Sequence, residues 1–188
     1  MARSTGDPPA PSSFAGVLHQ IREDYTANGS SHSRPGFRAM AVQRLGAYAR
    51  TLEDPRLRRV AERVCRTAHR LVRNHYGIEV HATTRIGARC FIAHQGAIVI
   101  HEWATVGNDC KIRQGVTIGQ LSGNLDREGA PTIGDRVEIG AGAVILGPVS
   151  IGDDAMIGPN AVVVRDVPPG ASAMGPPAKI VSRPAGEP

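Results

Sequence analysis

Large aromatic side chains are scarce in this sequence of 188 residues, which has only three Phe, three Tyr and one Trp. Long apolar runs are also missing. None approaches the roughly 18 residues that a membrane-spanning helix needs, so we expect no membrane segment. Glycine and proline, by contrast, are abundant, at 22 and 14 residues. A core without large rings has to be filled by repeated small and aliphatic side chains, and the composition therefore indicates a repeat architecture.

Cysteine is sparse, and its spacing suggests no pairing. The three cysteines, Cys65, Cys90 and Cys110, are odd in number, widely spaced and without a CxxC pair. This pattern argues against a disulfide framework and a zinc cluster, and it predicts a reducing, cytoplasmic environment. Residues 1–13 lack the apolar segment of a signal peptide, and we expect them to form a disordered lead-in.

Positive charge is concentrated in the first part of the chain. Residues 1–76 hold 13 Arg and 6 acidic residues, 13 − 6 = +7, whereas residues 77–188 hold 9 basic and 11 acidic residues, 9 − 11 = −2. A basic segment is compatible with nucleic-acid binding, but these arginines lie at helical spacing without an aromatic platform. We therefore expect a solvated helix face, with a groove for an anionic cofactor as the second interpretation and no nucleic-acid partner.

Three apolar stripes at helical spacing predict an α-helical N-terminal region over residues 14–76. Ser12 or Ser13 is the expected N-cap of the first helix. The third helix is expected to run from Pro55 to a stop at Gly77. We expect the apolar stripes of all three helices to face a core. The third stripe consists of Leu57, Val60, Ala61, Val64, Cys65, Ala68, Leu71 and Val72.

After Gly77 an aliphatic residue recurs every six positions. A helix has a period of 3.6 residues and a simple strand a period of two, so neither explains this spacing. Six-residue strands stacked around a triangular prism do explain it, with glycine at the corners. The repeating positions are Val80, Ile86, Ile92, Ile100, Val106, Ile112, Ile118, Ile133, Ile139, Ile145, Ile151, Ile157 and Val163.

The repeat is interrupted twice. The spacing from Ile92 to Ile100 is eight residues, and the spacing from Ile118 to Ile133 is fifteen. The longer interruption predicts a loop over residues 119–132, and such insertions in solenoids often form the binding face. The repeat predicts a β-helix over residues 77–167, followed by a C-terminal extension and tail over 168–188.

The repeat resembles that of the left-handed parallel β-helix acyltransferases. More narrowly, the chain is similar to the serine acetyltransferases of cysteine biosynthesis, in the variety with a short N-terminus. The resemblance implies a mainly β, left-handed parallel β-helix, acetyl-CoA as co-substrate, no metal, and assembly as a homotrimer or hexamer. The matching segments are GIEVH (77–81), AHQGAIVIHE (93–102), IRQGVTIG (112–119), IGAGAVILGPVSIGDDAMIGPNAVV (139–163) and VPPGASAMGPPAKIV (167–181).

Acetyl transfer to a hydroxyl requires a base, and histidine suits this role because its unperturbed pKa is about 6.5. The resemblance implies that His94 is the catalytic histidine. Glu79 stands where the family has an aspartate paired with that histidine, and a carboxylate there would orient the imidazole. For His81 and His101 we expect structural or pocket-lining roles.

The resemblance also places coenzyme A in a groove between neighbouring subunits. The positions matching its binding residues are Gly119, Gln120, Ala141 and Pro159, where small side chains let the pantetheine arm approach the backbone. Lys179 matches a basic residue that would meet the phosphates.

The sequence departs from the family pattern at two places where the family's side chains help to bind the amino-acid substrate. Ala93 replaces an aspartate, and the loop sequence LDREGAP lacks the second active-site histidine. Arg113 and Arg127 are then candidates for binding a substrate carboxylate. The chain also lacks the long tail ending in isoleucine that docks on a sulfhydrylase, so we do not expect that complex.

Three alternatives to serine acetylation remain at this point. The same chemistry on a sugar or natural-product hydroxyl is the first. A zinc lyase of the γ-carbonic anhydrase type shares the prism, but it needs three converging histidines, and His94 and His101 do not match its closer pair. The last is a purely structural trimer.

Overall fold

Three helices precede a stack of short strands in the structure, a computed structural model that describes residues 13–121 and 129–182. The helices are α1 (Phe14–Ala27), α2 (Pro35–Ala49) and α3 (Pro55–Tyr76). Ser13 caps α1 by accepting a hydrogen bond from the backbone of Gly16, and Gly77 ends α3 in the left-handed conformation. The expected lead-in lies outside the described residues except for Ser13.

The strands are two or three residues long and follow one another at short intervals. They are β1 (Ile78–Val80), β2 (Arg85–Ile86), β3 (Phe91–Ile92), β4 (Ile98–Ile100), β5 (Thr105–Val106), β6 (Lys111–Ile112), β7 (Thr117–Gly119), β8 (Thr132–Ile133), β9 (Glu138–Ile139), β10 (Val144–Leu146), β11 (Ser150–Ile151), β12 (Met156–Ile157), β13 (Val162–Val163), β14 (Ser172–Met174) and β15 (Lys179–Val181).

Through β12, every third strand returns to the same sheet, so the chain winds around a prism with three faces. Face A contains β1, β4, β7, β10 and β13; face B contains β2, β5, β8 and β11; and face C contains β3, β6, β9, β12, β14 and β15. All pairings are parallel except that of β14 with β15. The predicted parallel β-helix with a helical N-terminal region is therefore confirmed. Parallel pairing runs past residue 167, because β14 pairs with β12.

The aliphatic residues that recur every six positions form the core of this prism. All thirteen repeating aliphatic side chains point inward and are at most 5% exposed. Cys90 and Cys110 are buried beside them, and burial raises the pKa of the Cys110 thiol to about 12. All three cysteines are free. Because a buried, protonated thiol is a small apolar group, Cys90 and Cys110 serve as packing residues.

Glycine at the corner between faces B and C is required by close approach of successive coils. A Cβ atom added to Gly107 would lie 2.4 Å from the backbone oxygen of Gly134. A Cβ on Gly87 would lie 2.5 Å from the backbone carbon of Gly107, and a Cβ on Gly134 would lie 2.3 Å from the Asp153 carboxylate and 2.8 Å from its backbone nitrogen. No side chain fits there unless the coils separate.

We predict that Gly107→Ala lowers the free energy of unfolding by about 1–3 kcal/mol, the usual cost of overpacking a core. Thermal and urea unfolding monitored by circular dichroism measures this. Gly119→Ala is the matched control, because a Cβ there meets only flexible side-chain carbons, the nearest at 3.4 Å. Equal stability of the two variants would contradict the steric argument.

The helical region covers the open edge of the first coil. The Asn28 amide donates to the backbone oxygen of Cys90 at 2.9 Å and accepts from the backbone nitrogen of Ile92 at 3.2 Å. Arg44 of α2 donates to the backbone oxygens of Ile86 and Gly87. These side chains replace the missing neighbouring strand, and they protect an edge that would otherwise pair with another chain.

Helix α3 departs from the expected core packing. Four of its apolar side chains are 55–66% exposed (Leu57, Val60, Val64 and Leu71), and Val72 is the one residue of the stripe that is buried. The stripe spans more of the helix circumference than α2 and β1 can cover. None of the three described helices is long and apolar enough to cross a membrane.

Candidate functional site

The shorter interruption of the repeat is a two-residue insertion at the corner between faces C and A. In the ladder of backbone hydrogen bonds Ala93 aligns with Arg113, and Gly96 aligns with Gln114. Arg113 and Gln114 are adjacent in the chain, so the two residues between Ala93 and Gly96 are extra. One of them is His94. The regular coils have no residue at this position, and the insertion therefore places His94 outside the stacked backbone.

His94 has a backbone conformation that few residues other than glycine adopt. Its φ is 67°, in the left-handed region, and its side chain is exposed. It makes no side-chain hydrogen bond or ion pair to the described residues. An imidazole presented in this way is free to accept a proton from a bound molecule.

The other two histidines of the prism are engaged within the chain. His81 Nε2 lies 3.2 Å from Glu79 Oε1. His101 Nδ1 accepts a hydrogen bond from the backbone nitrogen of Trp103 at 3.3 Å. Of the three prism histidines, His94 is therefore the one with an imidazole unpartnered among the described residues.

Glu79 does not pair with His94 in the structure, contrary to what the resemblance implies. Its carboxylate contacts His81 and, at 4.0 Å, Arg73. No hydrogen bond or ion pair joins it to His94 within the described residues. The reason is backbone geometry: Glu79 lies on β1 of face A, His81 directly follows the last residue of this strand, and side chains two residues apart project from the same side, as their 3.2 Å contact shows. His94 lies beyond the edge of that face.

Of the two arginines predicted to bind a substrate carboxylate, the structure describes one. Arg113 aligns with Ala93 one coil along, and its side chain is exposed at the corner that carries His94. Arg127 lies outside the described residues. Arg113 is therefore the arginine that the structure brings to the region of His94.

Four of the five positions that match coenzyme A contacts fall on two edges of face A. Ala141 and Pro159 continue the column above Gly96 at the corner between faces C and A. Gly119 ends β7, and Gln120 follows it, at the corner between faces A and B. Lys179 lies exposed on β15, the last strand of face C. One chain does not bring these five residues together.

Comparison with known proteins decides the family. Residues 130–165 match the family model described as bacterial transferase hexapeptide (six repeats). The chain is 46% identical over 91 residues to the serine acetyltransferase of Mycobacterium tuberculosis, a match that covers 48% of this chain and 39% of that protein. Its identity to the serine acetyltransferase of Helicobacter pylori is 40% over 115 residues, covering 61% and 63%. The structure matches soybean serine acetyltransferase complexed with serine at a TM-score of 0.73 and 30% identity, over 88% of this chain and 68% of that one. The chain belongs to the serine acetyltransferase family.

The match to these serine acetyltransferases is partial in length. The chain spans 39% and 63% of the two curated relatives, although it covers 68% of the soybean chain. The reaction of this family member and its acceptor are therefore proposals that rest on its own residues.

A metal centre has no ligand set in the part of this serine acetyltransferase family member that the structure describes. No group of three His, Cys, Asp or Glu side chains there is arranged to hold a metal ion. The zinc-lyase alternative requires such a group.

Proposed function

We propose that the protein transfers the acetyl group of acetyl-CoA to the hydroxyl of L-serine, with His94 as general base. The observation that carries this proposal is the two-residue insertion that leaves the His94 imidazole exposed and unpartnered at the edge of the prism. The family supports it, since the relatives are serine acetyltransferases and one solved relative is complexed with serine.

In the proposed reaction the neutral imidazole of His94 takes the proton of the serine hydroxyl as its oxygen attacks the thioester carbonyl. The carbon–sulfur bond then breaks, and the proton on the imidazole passes to the leaving thiolate. The products are O-acetylserine and coenzyme A, and the histidine returns to its starting state. A supporting role for Glu79 rests on the family resemblance alone, since its carboxylate bonds His81 in the structure.

We infer that the complete site forms between copies in a homotrimer. In one chain four of the five coenzyme A positions are divided between the two edges of face A, and Lys179 lies on face C. If copies pack side by side, Gly119 and Gln120 of one chain can meet Ala141 and Pro159 of the next, with Lys179 near the phosphates. The pantetheine arm would then lie in a groove with walls of small side chains.

A different hydroxyl acceptor is the second candidate function, and Ala93 favours it. The family's aspartate at this position, beside the catalytic histidine, helps to bind the amino acid, and a methyl group cannot replace a carboxylate toward an ammonium group. Arg113 would bind the carboxylate of serine, or an anionic group of another acceptor, but it cannot replace the aspartate toward an ammonium group.

A panel of acceptors with acetyl-CoA tests these proposals. We expect L-serine to release free thiol faster than L-threonine, representative sugars or ethanolamine, and mass spectrometry to identify O-acetylserine. Faster turnover of a sugar would favour the second candidate, and turnover of none would refute acetyl transfer to these acceptors. Gly119→Ala adds a test of the groove. It should raise the KM for acetyl-CoA without changing the melting temperature, because the folded chain accommodates the added methyl.

A further inference from the structure

A cavity of about 220 Å³ lies between α2, α3 and the corner that joins faces A and B in the first two coils. It is separate from the corner that carries His94, which lies on the opposite edge of face A. Helix α2 contributes Val42, Gln43, Gly46 and Arg50; helix α3 contributes Glu62, Cys65, Arg66 and His69; and the prism contributes Val80, His81, Ala82, Thr83 and Glu102.

The walls of this cavity carry charges of both signs that have few partners. On the helix side, Arg50 makes no side-chain hydrogen bond or ion pair to the described residues, and Arg66 has only a 3.9 Å contact with Glu62. On the prism side, Glu102 accepts one long hydrogen bond of 3.4 Å from Thr83. A ligand with a negative group at one end and a positive group at the other would satisfy both walls.

Two buried polar atoms in the cavity walls also lack partners. Gln43 is 3% exposed, and its Nε2 donates to the backbone oxygen of Thr84 at 2.9 Å. Because that oxygen can only accept, the amide orientation is fixed, and Gln43 Oε1 is left buried without a donor. His69 Nε2 is likewise buried and unpartnered. Buried unsatisfied atoms are costly, and hydrogen-bonding groups of a bound molecule can satisfy them.

His69, the cavity histidine on the helix side, is expected to be neutral. Burial lowers the pKa of His69, and the neighbouring His81, with its ring centroid 5.3 Å away, adds to this effect. The positive charge of the helix wall therefore comes from Arg50 and Arg66.

We propose that this cavity is a second binding site that takes a small zwitterion of the α-amino-acid class. The carboxylate binds Arg50, with Arg66 beside it, and the ammonium group binds Glu102. The proposal does not depend on which acceptor the enzyme acetylates, because the residues that define the cavity are outside the proposed catalytic set.

Fluorescence of the single tryptophan provides the test, because Trp103 adjoins Glu102 in the chain. L-alanine and L-serine are titrated into the full-length protein, and L-alanine has no hydroxyl to acetylate. L-lactate and ethylamine are the matched probes that keep only the carboxylate or only the amine. We expect a saturable signal for the amino acids with a Kd of about 1 mM, and at least tenfold weaker binding of the two single-charge probes.

Substitutions of cavity residues test whether the change in tryptophan fluorescence comes from binding in the cavity. Arg50→Gln and Glu102→Gln should each weaken amino-acid binding about tenfold with unchanged melting temperature, since neither side chain has a strong partner in the fold. Arg56→Gln removes an exposed arginine from the same helical region outside the cavity and should bind as the parent. The proposal is overturned if neither amino acid gives a saturable signal. It is equally overturned if lactate binds as well as alanine, or if both cavity variants bind like the parent.

Discussion

Replacing His94 by alanine is expected to lower kcat for acetyl transfer by about 10²–10⁴-fold while leaving the fold intact. The side chain is exposed and makes no hydrogen bond to the described residues, so its removal costs the folded chain little. What is lost is the base that accepts the hydroxyl proton during attack. Steady-state thiol release at saturating acetyl-CoA and acceptor measures kcat, and circular dichroism verifies folding.

The matched control is His19→Ala, which removes another exposed imidazole, in this case from α1. The side chain of His19 is 74% exposed, and its one ionic contact, to Glu23, is 3.8 Å long. This variant should retain the parent rate. A folded His94→Ala protein that acetylates at the parent rate would show that another group acts as base. His81 would then be the next candidate, because Glu79 already holds its imidazole.

Most of the prism follows from one regularity of the sequence. A six-residue period of aliphatic side chains has few structural solutions, and all thirteen repeating positions are buried. The spacing also marks the candidate site, because the eight-residue step from Ile92 to Ile100 becomes the insertion that holds His94. Periodicity therefore predicts both the regular coils and the place where the chain must leave them.

Features that depend on contacts between distant segments could not be predicted in this way. The stripe on α3 indicated a core-facing helix, but periodicity does not say how much of a stripe its neighbours can cover. The partner of Glu79 is His81 because of side-chain direction along β1, whereas the resemblance pointed to His94. The cavity beside Arg50 joins α2, α3 and two coils, and no local motif marks such a junction.

A buried ion pair contributes to the attachment of the helices to the prism. Arg44 is 4% exposed and Asp24 is fully buried, with Arg44 Nε 2.9 Å from the carboxylate. The guanidinium also donates to the backbone oxygens of Ile86 and Gly87. Burial raises the pKa of Asp24 above its usual value despite the lowering effect of Arg44, which shows how costly this carboxylate is to bury.

Arg44→Met is therefore expected to lower the free energy of unfolding by about 3–5 kcal/mol. The substitution leaves a buried carboxylate without its cation and two backbone oxygens without donors. For a chain of this size the melting temperature should fall by about 10 °C. Arg50→Met is the control, because it removes the same charge from the exposed end of α2 and should melt close to the parent.

The pH dependence of the free energy of unfolding of Arg44→Met distinguishes the loss of the ion pair from a simple loss of packing. Without Arg44 the pKa of Asp24 in the folded state rises further above its unfolded value, so the folded protein binds more protons than the unfolded chain. Stability that depends on such a proton is present at low pH and is lost as pH rises through the folded pKa. The stability deficit of Arg44→Met should therefore be smaller at about pH 4 than at about pH 7.

Replacing both partners, as Asp24→Leu with Arg44→Met, should recover part of the loss at neutral pH because no charge is then buried alone. A deficit that is independent of pH and unrelieved in the double variant would mean that Arg44 acts through its packing and its bonds to the prism backbone, with the ion pair contributing little.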